Sequence, residues 1–145
     1  MMDGSSSATR VAVMSDRALF ILICSEQHEN IQMAAMMASV AAVSERPVHV
    51  FVSMGAIYAF QKGLSGDLRY DGGRFSQVMK DKKAPDAMML LEQGKLLGEM
   101  TVHACSMALD ILGWKESDLV EDLFDGAMGL TKFLSDAEQG QLITL

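Results

Sequence analysis

Cysteine is scarce in this chain, with two residues, Cys24 and Cys105, among 145. A disulfide framework is excluded, and each thiol is left as either chemistry or apolar filling. Basic charge is also in deficit, at 12 Lys and Arg against 19 Asp and Glu, for a net charge of −7. The basic stripe of a nucleic-acid surface is missing, so no direct nucleic-acid partner is expected. The longest apolar stretches, such as Ala34 to Val43 with its internal Ser39, fall short of the roughly 20 residues that cross a bilayer, and no membrane partner is expected. Met1 to Arg10 is small and polar, without the apolar segment of a secretory signal. A flexible leader over 1–17, one domain over 18–145 and a cytoplasmic location are the resulting expectations. His28, His49 and His103 are scattered, and neither a Cys-x-x-Cys nor a His-x-x-x-His pair occurs, so no metal is expected. No Gly-x-Gly-x-x-Gly or Walker sequence follows a strand, which leaves no signal for a nucleotide cofactor.

Half of the residues are apolar, which is enough for one domain with its own core. Leu19 to Cys24 is a continuous apolar run, the pattern of a strand covered on both faces. A helix from Ser25 or Glu26 through Val43 follows, with Ile31, Ala34, Ala35, Ala38, Ala41 and Ala42 on its packing face and Glu26 as its cap. Pro47 to Ser53 reads as a second strand and Met54 to Gly63 as a short apolar helix. Lys62 to Asp86 is polar and glycine-rich, with six Lys or Arg against three Asp between 62 and 83. It is expected to be a long loop, basic within an acidic protein. A helix from Pro85 and Asp86 carries Met88, Met89, Leu91, Leu96 and Leu97, and a third strand then ends at Cys105. Ser106 to Gly113 is a helix stopped by glycine. A fourth strand is expected within Leu119 to Phe124, a helix over Ala127 to Ala137 and a last strand over Gln141 to Leu145. Met33, Met36, Met37, Met88, Met89 and Met107 sit at helical spacing and are expected to pack the helices on the sheet or to line a subunit interface. Alternation of strand and helix specifies an α/β domain, with a mostly parallel sheet covered on both faces.

Open sheets of this class collect ligands outside the carboxyl ends of their strands. Cys24, the Ser53-Met54-Gly55 turn and Cys105 all fall at that edge. Cys105 is the best placed, because a helix begins just after it. Unpaired N–H groups and the positive end of the helix dipole favour thiolate over thiol there. The competing reading is a buried small hydrophobe. His103, two residues before, shares the sheet face of Cys105, yet the two are about 7 Å apart along a regular strand. It is either a supporting catalytic residue or a structural histidine. Ser53, Met54, Gly55, Ser106 and Met107 are the expected substrate-binding residues, and Cys24 is a candidate second thiol. Trp114 reads as an anchor for the loop that follows Gly113.

Cys105 to Gly113, Lys115 to Leu119 and Gly126 to Leu134 together resemble the DsrE/DsrF-like sulfur-relay family, whose relatives include the Tus proteins. The likeness runs from about Ala18 to Leu145. It implies a three-layer α/β/α sandwich with a five-stranded, mainly parallel sheet, assembled as a homo- or hetero-oligomer, often a trimer or hexamer. It also implies that the cysteine at position 105 accepts sulfane sulfur as a persulfide and passes it between donor and acceptor proteins, without a cofactor. In the sheet order implied by the likeness, the second strand separates the first from the third. Cys24 and Cys105 would then stand about 9–10 Å apart, too far for a disulfide. The alternatives are a non-catalytic binding or assembly subunit of such a relay, and a thiol-based redox protein. The lack of a Thr-x-x-Cys arrangement counts against the peroxiredoxin form of the latter.

Overall fold

In the computed structural model, which describes residues 16–145, the strands are Leu19–Ile23 (β1), Val48–Val52 (β2), Met100–Cys105 (β3), Gly126–Met128 (β4) and Gln141–Thr144 (β5). The helices are His28–Val43 (α1), Gly66–Arg69 (α2), Arg74–Asp81 (α3), Ala87–Leu97 (α4), Ser106–Leu112 (α5) and Leu130–Ala137 (α6), with a 3-10 helix over Met54–Phe60. Most of the leader expected over 1–17 lies outside the described residues.

The strands form one sheet in the order β4-β3-β2-β1-β5, and every neighbouring pair is parallel. The α/β class and the five-stranded sheet are as expected. Because side chains alternate across a strand, the register sorts them into two faces. Leu19, Val48 and Met100 form one row; Ile21, Val50 and Val102 the next; Ile23, Val52 and Ala104 the last. All nine are buried beneath α1 and α4. On the other face stand Phe20, His49 and Thr101, then Leu22, Phe51 and His103, and finally Cys105 opposite Met128. That face is covered by α5 and by α6, whose buried residues are Phe133 and Ala137.

Five buried alanines let α1 come close to α4. At the end of that contact Gly98 lies so near Ala42 that a Cβ there would collide with the Ala42 carbonyl. Asp86 caps α4 by accepting from the Met89 N–H at 3.2 Å, which satisfies one of the orphan donors of the first turn.

Four expectations are corrected. The 62–86 segment is not a loop, for it folds into α2 and α3. Arg69 donates to the carbonyls of Ala59, Gln61 and Leu64 at 2.8, 2.6 and 3.0 Å, and Lys80 donates to the Tyr70 carbonyl at 2.7 Å. Its order comes from these hydrogen bonds and from docking on α1 rather than from an apolar stripe. The fourth strand is Gly126–Met128, not Leu119 to Phe124. Leu119 and Leu123 instead turn into the core, Val120 N–H donates to the Phe60 carbonyl at 2.8 Å, and Asp122 at φ 61° breaks any extended run. Helix α1 begins at His28 after the N-cap Gln27, so Glu26 does not cap it; Glu26 packs beside Gly55. Finally, Met33, Met36, Met89 and Met107 are exposed, as are Leu96 and Leu97, so these four methionines do not pack their helices on the sheet; only Met88 is buried and Met37 half-buried.

Candidate functional site

Cys105 closes β3 and is the N-cap of α5, with φ −67° and ψ 119°. The chain turns there because Ala104 still pairs with Ala127 in the ladder while Ser106 already has helical geometry. Its side chain enters the smaller of the two apolar clusters, with Phe20, Phe51, Ala108, Phe133 and Ala137, and the residue is only 4% exposed. Phe133 stacks on Phe51 at 4.8 Å and meets Phe20 edge-on at 5.6 Å, so one α6 side chain closes this cluster from above.

Cys24 follows β1 directly, and its N–H donates to the Leu145 carbonyl at 2.7 Å. It is half-buried. Burial pushes its thiol up from the ordinary value, and the neighbouring Cys105 adds to that. The order β3-β2-β1 keeps the two cysteines two strand spacings apart, roughly 9–10 Å, beyond disulfide reach.

Ser53 is buried, and its N–H donates to the Ile23 carbonyl at 2.9 Å, tying the end of β2 to β1. Met54, which opens the 3-10 helix just after β2, adopts φ 47°, a strained value for a residue with a side chain. Met54 and Gly55 face Ala108, Ile111 and Leu112 of α5 across a shallow apolar hollow of about 210 Å³. Neither Ser106 nor Met107 lines that hollow, and Met107 is largely exposed. The Trp114 ring meets Tyr58 edge-on at 5.9 Å, and the Trp114 backbone N–H donates to the Leu109 carbonyl at 2.9 Å.

His103 is half-buried and points to the same face as Cys105, but it lines a different space. A cavity of about 530 Å³ opens over the amino-terminal half of that face, between the sheet and α6. Its floor is Phe20, His49, Thr101 and His103; Lys132, Phe133 and Asp136 form the α6 wall, and Met128 the side nearest Cys105. Cys105 is not among its lining residues. His49 Nδ1 lies 2.7 Å from Thr101 Oγ1, and the ring packs on Phe20 at 4.7 Å. Burial holds His49 below the usual histidine range; Glu99 and Asp136 pull upward and His103 downward. Sequence reasoning passed over His49 and Thr101 because it took the histidines one at a time. The signal was there in period two: Val48-His49-Val50-Phe51 and Met100-Thr101-Val102-His103 put their polar residues on one face.

A second polar cluster lies across the molecule. His28 is buried, with Nδ1 2.7 Å from Ser76 Oγ and its ring stacked on Tyr70 at 4.3 Å. Tyr70 donates to Asp86 at 2.6 Å, and Gln32 donates to the Pro85 carbonyl at 2.8 Å. These bonds fasten α2 and α3 to α1 and α4. Among the described residues no three His, Cys, Asp or Glu side chains gather as a metal site would need, and no helix is long and apolar enough to cross a membrane.

A family model described as DsrE/DsrF/DrsH-like matches residues 69–145, just over half of the chain and the half that contains Cys105. Among solved structures, the protein of unknown function MTH1491 from Methanobacterium thermoautotrophicum superposes with a TM-score of 0.60 at 13% identity. The match covers 89% of this chain and 99% of that one. At that identity the likeness speaks for the fold. No curated protein matches the chain.

Proposed function

The chain belongs to the DsrE/DsrF/DrsH-like family, and from that premise we propose that Cys105 carries sulfane sulfur as a persulfide and passes it to a thiol of a partner protein. The observation that carries this reading is the placement of Cys105, at the end of a central strand and at the N-cap of the helix that follows. The first N–H groups of α5 have no partner within the helix, although the Cys105 side chain makes no capping hydrogen bond to them here. In the loading step the Cys105 thiolate attacks the outer sulfur of a donor persulfide, the new S–S bond forms, and the donor's inner sulfur leaves as a thiolate. In the discharge step an acceptor thiolate attacks the outer sulfur on Cys105, and the Cys105 thiolate leaves. Neither step needs an external oxidant or a cofactor. His103 is proposed as a positioning residue on the same face, Met54, Gly55, Ser106 and Met107 as the surface a partner meets with the buried Ser53 supporting the turn beneath it, and Cys24 as a bystander thiol. A reducing, cytoplasmic setting suits such a carrier. The exposed side of α1, with Met33, Met36 and Val40, is proposed to pack in a homo-oligomer.

A second reading, a non-catalytic assembly subunit of a relay complex, is favoured by the 4% exposure of Cys105. Alkylation of the native protein separates the two. A carrier thiol reacts with iodoacetamide under folding conditions, and prior loading with inorganic polysulfide turns the product into the alkylated persulfide. A filler thiol reacts only when the protein unfolds, and that result would favour the assembly reading.

A further inference from the structure

Of the residues that line the 530 Å³ cavity between the sheet and α6, the sulfur reading uses His103 alone, and the cavity floor is chemically out of place. On the opposite face of the same strands the corresponding rows are aliphatic: Leu19, Val48 and Met100, then Ile21, Val50 and Val102. Positions that needed only filling would be aliphatic here as well. Instead His49, Thr101 and His103 stand on β2 and β3, half-buried and lining the cavity. One partnership is made, between His49 Nδ1 and Thr101 Oγ1, and it fixes the tilt of the His49 ring. Nε2 of His49 and both ring nitrogens of His103 make no hydrogen bond to another described residue. At the rim Lys132 lies 3.1 Å from Asp136, in a pair exposed enough to open readily.

We propose that this cavity is a binding site for a small organic anion, a carboxylate or sulfonate on a flat apolar body. The charged end sits on His49, His103 and Lys132, and the body lies against Phe20 and Phe133. The volume falls within the roughly 300–1,000 Å³ of small-molecule sites, which pair mostly apolar walls with a few convergent polar groups. An anion fits better than a cation, because the lining offers two histidines and a lysine against the single carboxylate of Asp136, and no trio of metal-ligating side chains is present among the described residues. The groups that face His49 are His103 on β3, Glu99 just before β3, and Asp136 with its partner Lys132 on α6. Burial keeps the free ring neutral at pH 7, and an anion beside it draws a proton on, so binding tightens as the pH falls. Cys105 does not line the cavity, so benzoate binding is read independently of sulfur on Cys105, although His103 is shared with the sulfur reading.

Benzoate is the probe and benzyl alcohol its uncharged control, followed through the ring C–H resonances of the three histidines by NMR. Benzoate is expected to shift His49 and His103 saturably and to leave His28 unmoved, in the wild type and in Cys105→Ser alike. Benzyl alcohol is expected to shift none of them to a comparable extent. His103→Gln weakens benzoate by about tenfold, the loss of one charge-assisted hydrogen bond. Should that variant not fold, Lys132→Met on the exposed rim is expected to weaken it about threefold at low salt. The proposal is overturned if benzoate moves neither histidine at about 10 mM, a ceiling on any useful affinity. It is equally overturned if benzyl alcohol matches benzoate, or if the folded variants bind benzoate as the wild type does.

Discussion

His28 lies flat against Tyr70, the ring centroids 4.3 Å apart and the planes 7° from parallel, while its Nδ1 meets Ser76 Oγ at 2.7 Å. Through this one side chain, the first residue of α1 holds both Tyr70 and the α3 serine. His28→Phe keeps the stack and strands the Ser76 hydroxyl, which is 1% exposed. A buried hydroxyl without a partner costs about 1–3 kcal/mol. The expected result in urea denaturation is a loss of that size for His28→Phe, with part of it recovered in His28→Phe/Ser76→Ala. Strict additivity of the two substitutions would show that the 2.7 Å contact carries no coupling.

The same histidine gives stability a pH dependence. Burial, then Lys80, lower His28, against smaller upward pulls from Asp86, Gln32 and Glu29; burial also lowers His49. Both groups therefore bind protons more readily when unfolded. Stability is fully present above the ordinary histidine value of 6.5 and is lost as the pH falls below it toward the folded values. Denaturation midpoints should fall from pH 7.5 to pH 5.5, and His28→Phe should flatten the slope. A midpoint that rises on acidification would contradict this assignment.

Two glycines, Gly94 within α4 and Gly98 just after it, should behave differently. At Gly98 a Cβ meets the Ala42 backbone, whereas at Gly94 it meets first the terminal methyl of Met100. Backbone cannot yield as a flexible side chain does. Gly98→Ala is expected to cost about 1–3 kcal/mol, the usual range for overpacking. Gly94→Ala should cost clearly less, because Met100 can swing away and alanine favours the helix. Thermal denaturation of the two variants checks the contrast, and equal losses would refute it.

Phe133 is the side chain over the Cys105 cluster, stacked on Phe51 from an eight-residue helix with two buried residues. Phe133→Leu is expected to speed native alkylation of Cys105 severalfold while costing about 1–2 kcal/mol of stability. An unchanged rate in a folded Phe133→Leu protein would mean that access to the thiol comes from elsewhere.

The class and most of the strands were legible because apolar runs and alternation dictate them. β3 could be read to its last residue from Met100-Thr101-Val102-His103-Ala104-Cys105, and the stop at Gly113, at φ 68°, from glycine's access to the left-handed region. What stayed hidden depends on distant partners. Three carbonyls on Arg69 order a segment that reads locally as loop. β4 is three residues long and carries no periodicity of its own; the Asp125 carboxylate sets its start by accepting from the Val102 N–H at 2.7 Å. The position of Cys105 was readable, but its burial under Phe133 was not, since α6 reaches it from 28 residues further along the chain.

Sulfur on Cys105 is the central claim, and intact-mass analysis after incubation with inorganic polysulfide tests it most directly. The wild type and Cys24→Ser should each gain about 32 Da, one sulfur on the persulfide ladder, reversed by dithiothreitol, and Cys105→Ser should gain nothing. A gain that survives in Cys105→Ser and vanishes in Cys24→Ser would contradict the claim and move the chemistry to the end of β1.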